Sequence, residues 1–179
     1  MSRPRAPLCP LLTLTLALVL TGCKKDSSPT EPPTPTGGPT IAAASGARVP
    51  LAGTWRSRCF TAPPGSPVAS LRETFVISEA AISIELSGFL SADCSGLSIT
   101  EDSAVDYSLG AEGDALLAGR TVGVTRVDGT VRENGESFRQ IFHVDDAGVH
   151  RLYHGELDGG PTDSDGYPTE LFEESLERQ

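Results

Sequence analysis

The sequence predicts an all-β domain, a single antiparallel up-and-down barrel or half-barrel of seven to eight strands, preceded by a disordered N-terminal tether. Three observations carry this expectation. From Leu51 onward, short runs rich in β-branched and aromatic residues recur between turn residues. Glycine and proline are abundant, at 19 and 14 residues, and aromatic residues make up only 6% of the chain, which suits many turns rather than long helices. A helical stripe is visible only in the terminal stretch "PTELFEESLERQ", residues 168–179, where a short helix is expected.

Residues 1–22 read as a secretion signal. Arg3 and Arg5 give the positive start, residues 8–20 the apolar stretch, and Leu20-Thr21-Gly22 the approach to a cleavage point. The apolar stretch falls short of the roughly 20 residues that a spanning helix needs. Leu20-Thr21-Gly22-Cys23 resembles a bacterial lipobox, and the resemblance implies that Cys23 becomes the lipidated first residue of the mature chain. Two or more acyl chains there meet the requirement for stable anchoring. Lys24 follows the cysteine where Asp would favour inner-membrane retention, so the same resemblance implies a lipid-anchored envelope protein of a Gram-negative outer membrane. Residues 23–49 are then a Pro/Ser/Thr-rich linker with too little apolar content to fold alone, and the domain proper is expected over 50–179.

The formal net charge of −10 excludes a nucleic-acid partner, because phosphate binding needs a clustered basic face. Both lysines, Lys24 and Lys25, lie beside Cys23, so the acidic excess belongs to the C-terminal two-thirds. Of four cysteines, Cys9 leaves with the signal and Cys23 is taken by lipid. Cys59 and Cys94 remain, in an exported and therefore oxidising setting, and a disulfide between them is expected.

The strand candidates run in order. "TFVIS" (74–78) and "ISIEL" (82–86) are separated by the tight turn "SEAA" (78–81). In the second, Ile82, Ile84 and Leu86 share one face and Ser83 and Glu85 the other. "LSITEDSAVDYSL" (97–109) is weaker, broken by acidic residues. "TVGVTRV" (121–127) and "SFRQIFHV" (137–144) flank "VDGTVRENGES", which holds both Asp-Gly and Asn-Gly turn signals. "GVHRLYHGEL" (148–157) follows across "VDDAGV".

"LAGTWRSRC" (51–59) resembles the Gly-x-Trp opening of lipocalin-like barrels. With "SADCSG" (91–96) and "HRLYHGELDGG" followed by "GYPTEL" (150–171), it is also similar to a group of small secreted bacterial proteins. The same arrangement resembles the lipid-binding half-barrel ectodomain of a Wnt-inhibiting membrane glycoprotein. The resemblance implies that Gly53 lets the chain bend into the barrel and that Trp55 plugs its closed end. An arginine from a late strand is expected to cover Trp55, with Arg139 and Arg151 as candidates.

Three histidines, His143, His150 and His154, fall on one expected hairpin. If Val144 pairs with Val149, all three share a face and form a weak candidate zinc or copper site; a register slip of one residue destroys it. "DGGPTDSDGYPTE" (158–170) fails as an EF-hand loop, because Pro161 and Phe172 fall at the anchor positions. No nucleophile elbow, phosphate-cradling glycine loop or His-Glu-x-x-His is present, so no enzyme and no cofactor are expected.

The expected function is that of an envelope lipoprotein whose barrel binds a small apolar or amphipathic ligand of the lipid or fatty acid class. Its cavity would be lined from among Phe75, Ile77, Ile82, Ile84, Val122, Val124 and Phe142. The alternative is a filled barrel that binds a protein partner through its outer surface.

Overall fold

The computed structural model describes residues 38–156 and 160–179. The expected signal segment, Cys23 and the first part of the expected linker lie outside the described residues.

Alternation of small or apolar with polar residues produces β1 (Thr40–Ala42), β2 (Arg48–Pro50), β3 (Gly53–Ser57), β4 (Phe60–Thr61), β5 (Ser70–Ile77), β6 (Ala81–Phe89), β7 (Ser98–Leu117), β8 (Arg120–Val131), β9 (Ser137–Asp145), β10 (Arg151–His154) and β11 (Leu176–Arg178). No helix occurs among the described residues. One antiparallel sheet runs in the order β3-β11-β10-β9-β8-β7-β6-β5-β4, and an additional pairing of β3 with β5 closes the ring. The all-β barrel architecture is therefore present, with strands following one another around it. β4 continues β3 along the start of β5, pairing Phe60 with Leu71.

Two of the expected turns form, one between β5 and β6 and one between β8 and β9. Ser78 N donates to Ala81 O at 2.8 Å, and Ser78 Oγ does so at 3.0 Å, closing the β5–β6 hairpin. The "VDGTVRENGES" turn falls at Asn134-Gly135, where Gly135 has φ +72°. Asp128-Gly129 stays inside β8 instead. Gly129 pairs with Phe138, whose ring lies over it so closely that a Cβ would sit 2.3 Å from the ring edge. An aromatic neighbour fills the missing side chain and turns a turn signal into strand.

Three expectations are corrected. The linker does not extend to residue 49: Thr40 pairs with Pro50, Ile41 with Val49 and Ala42 with Arg48 in a hairpin turned at Gly46. Ile41 and Val49 are buried in the same cluster as Trp55, so the folded part begins before residue 50. β1 also covers an edge, because β8 pairs with β9 only from Thr125 onward and Ala44 N donates to Val144 O at 2.8 Å. The terminal stretch is not helical. Leu176 pairs with Leu152 on one side and Ser57 on the other, and β11 supplies the strand between β10 and β3. Finally, the arginine over Trp55 is Arg178, with its guanidinium carbon 5.3 Å from the ring centroid; Arg139 lies over Tyr167, at 5.5 Å.

The closed end is thereby built from a few residues. Trp55 is fully buried and its Nε1 donates to Leu51 O at 2.8 Å. Arg178 donates to Pro50 O at 3.0 Å and Ala52 O at 2.8 Å while stacking on the indole. Gly53, at φ +141°, is in a conformation that L side chains rarely adopt, and an added Cβ would meet the Arg178 guanidinium at 3.3 Å. The Cys59–Cys94 disulfide is present, with a Cα–Cα distance of 5.7 Å, and it pins the β6–β7 connection to the β3–β4 bend.

Candidate functional site

Pairing registers place the inward side chains of β3 to β8 in successive rows. Gly53, Ile77, Ile82, Val105 and Val131 form the row at the closed end. Trp55, Phe75, Ile84 and Ser103 form the next. Glu73, Leu86 and Glu101 follow, and Phe60, Leu71, Gly88 and Ile99 make the lip. The first two rows contribute Trp55, Phe75, Ile77, Ile82 and Val105 to the buried apolar cluster. The third introduces carboxylates, and the fourth is an apolar rim where Ile99 is 62% exposed.

Above the filled half lies a half-open groove of about 1000 Å³. Its lining takes Leu71, Glu73 and Leu86 from the inner face, Phe60 to Pro64 from the β4 segment, and Leu116, Ala118 and Gly119 from the tip of the β7–β8 hairpin. His154 to Glu156 and the 170–174 segment complete it. That hairpin tip is held in place by Leu116 N donating to Thr169 O at 2.9 Å and Leu171 N to Leu116 O at 2.8 Å.

The polar centre of the groove is a pair, Glu73 and His154. Their Oε2 and Nε2 atoms are 3.3 Å apart, and both side chains are largely sheltered. His154 Nδ1 faces Gly155 O at 3.1 Å, so both ring nitrogens meet acceptors. The imidazole is sandwiched between Phe75, at 5.6 Å, and Phe172, at 5.7 Å, and Phe60 meets Phe172 edge-on at 6.2 Å. The aromatic stack fixes the ring so that its Nε2 edge stays on Glu73.

The histidine face does not form. Val144 pairs with Leu152, not Val149, so His143 lies opposite Tyr153 and His154 opposite Phe142. An odd shift of three residues in the pairing puts His143 and His154 on opposite faces of the sheet. His143 is buried on the outer face, its Nδ1 2.7 Å from Gly123 O, and His150 lies in the β9–β10 connection. No cluster of three potential metal ligands occurs among the described residues. The expected cavity lining divides similarly. Phe75, Ile77, Ile82 and Phe142 are buried in the apolar cluster around Trp55, with Ile84 packed against it, whereas Val122 and Val124 pack on the outer face with Ile141 and Tyr167. None of the seven lines the groove.

The acidic loop around Asp163 is an arginine clamp. Arg126 reaches Asp163 Oδ2 at 2.6 Å and Asp165 Oδ2 at 3.0 Å while lying 4.6 Å over the Tyr167 ring. Burial pushes the Asp163 carboxyl up, but backbone N–H groups of Tyr167 and Asp165 and the Arg126 charge outweigh it and hold the group below its ordinary value. The Tyr167 phenol, donating to Asp128 at 2.9 Å, is held above its ordinary value by that bond and by burial.

Sequence reasoning passed over Glu73, Phe60 and Phe172. Extending the alternation of Phe75 and Ile77 backwards puts Glu73 and Leu71 on the inner face, and that period was the available signal for Glu73. Phe172 had none, because only the return of 170–174 across the barrel brings it to His154. Neither a family model, a curated protein nor a solved structure matches the chain.

Proposed function

We propose that this protein is a lipid-anchored envelope lipoprotein whose barrel carries a small apolar or amphipathic ligand of the lipid class in the groove at its open end. The observation that carries the reading is the division of the inner face: a filled half under Trp55, and an open groove of about 1000 Å³ walled by Phe60, Leu71, Leu86 and Phe172. A groove of that size, with apolar walls and a small set of polar groups centred on Glu73 and His154, has the form of a small-molecule site. The anchor rests on the lipobox-like Leu20-Thr21-Gly22-Cys23. A neutral apolar dye such as N-phenyl-1-naphthylamine tests the groove. The full chain should bind it at about one equivalent, and Leu71→Ser with Phe172→Ser should abolish the signal. Equal binding by the double variant would overturn the reading. Loss of acyl labelling in Cys23→Ser tests the anchor.

A second reading, docking of a protein partner, is favoured by Leu90, Leu97 and Ile99, which are 71%, 86% and 62% exposed beside the lip. It predicts a copurifying protein that Leu90→Ser with Leu97→Ser releases.

A further inference from the structure

We infer that the groove selects a positively charged amphiphile: a single alkylammonium group on an apolar chain or ring, with no anionic group. The inference rests on the ligand-carrier reading and names the chemistry of its ligand. The groove lining contains Glu73, Glu156, Glu170, Glu173 and Glu174 and neither a lysine nor an arginine. The last four make no ion pair among the described residues. Among the arginines outside the lining, Arg58 and Arg151 are committed to Glu177 and Arg126 to Asp163 and Asp165. The one basic side chain in the lining is His154, and it contacts a single carboxylate, Glu73. A fatty-acid or phosphate headgroup entering here would meet uncompensated like charge, whereas an ammonium meets the complement of the lining.

The geometry supplies both halves of such a ligand's recognition. Glu73 uses Oε2 toward His154, and its Oε1 takes no hydrogen bond among the described residues, which leaves an acceptor facing the groove at the level of the third row. Phe60 and Phe172 present ring faces and edges beside it, and aromatic faces attract cations. The apolar body then lies along Leu71 and Leu86 toward the exposed lip at Ile99. The acidic groups alone would be only a solvated rim; their arrangement around an apolar-walled groove is what defines the ligand.

Calorimetry on the full chain at constant ionic strength, with octylamine, octanol, octanoate and a lysophosphatidylethanolamine, tests this. Octylamine should bind at least about tenfold more tightly than octanol, a factor set by one sheltered charge contact of about 1.4 kcal/mol. Octanoate should not bind, and the phosphate-bearing lysolipid should bind more weakly than octylamine. Glu73→Gln should weaken octylamine about tenfold and octanol by much less, and Glu85→Gln, on the outer face, should alter neither. Equal affinity for octylamine, octanol and octanoate would overturn the charge selection while keeping the groove as a carrier site. Tighter binding of octanoate or the lysolipid would also overturn it. Binding of none of the four would overturn the carrier reading itself.

Discussion

Removing the guanidinium of Arg178 should loosen the closed end of the barrel by a measurable amount. In Arg178→Ala, Pro50 O and Ala52 O lose donors at 3.0 and 2.8 Å, and the Trp55 ring loses its cationic cover at 5.3 Å. Charge-assisted hydrogen bonds of this kind, discounted for a half-exposed side chain, contribute about 1 kcal/mol each. The cation–π contact adds about 0.5–1 kcal/mol. The expected loss is about 2–3 kcal/mol, or a fall in Tm of about 6–12 °C at the roughly 3–4 °C per kcal/mol of a domain of this size. Arg178→Lys, which keeps the charge but not the planar fork, should recover only part of it. Trp55 is the sole tryptophan, so its fluorescence reports this end directly during thermal unfolding. A Tm within about 2 °C of the parent protein, less than 1 kcal/mol, would refute the reasoning, and so would an equal loss in Arg139→Ala.

The disulfide and the buried phenol give two further expectations. Reducing Cys59–Cys94, which closes a loop of 35 residues, should cost about 4 kcal/mol by the chain-entropy relation; an unchanged denaturant midpoint after reduction would contradict it. Burial pushes the Tyr107 phenol, hydrogen-bonded to Ser78 O, up to about 12 from 10.0. Because the folded-state value is the higher one, its contribution is fully present below pH 10 and is lost as pH rises toward 12. Absorbance titration near 295 nm should therefore show a late tyrosine phase that Tyr107→Phe reduces by the amplitude of one phenol, and an undiminished phase would count against the burial argument.

How much of this was legible depended on how locally each element is specified. The hairpin of β5 and β6 was readable, because Ile82-Ser83-Ile84-Glu85-Leu86 alternates and Ser78 closes the turn with its own side chain. β7 was harder to read. Before Ala104 it has only β6 as a strand partner, so it tolerates Glu101 and Asp102 at an open edge, and charge there masks the strand pattern. The β9–β10 register escaped because Asp145 Oδ1 accepts from Ala147 N and Gly148 takes φ +91°, making a longer connection than the four-residue loop that "DDAG" suggests. The β1–β2 hairpin is short, and within its strands only Ile41 of β1 and Val49 of β2 mark it as part of the core. β11 shows the opposite problem. Leu171, Phe172 and Leu176 fit a helical stripe, but hydrogen bonding to β10 and β3 overrides that local preference. The candidate site was the least legible, because Glu73 and His154 are 81 residues apart and meet only through barrel closure.

Native mass spectrometry of the full protein, purified gently and followed by solvent extraction, tests the central claim most directly. The account expects a discrete additional mass that extraction identifies as a small apolar or amphipathic molecule, and its loss in Leu71→Ser with Phe172→Ser. A bare protein from every gentle preparation, or an adduct that the double variant retains, would contradict it.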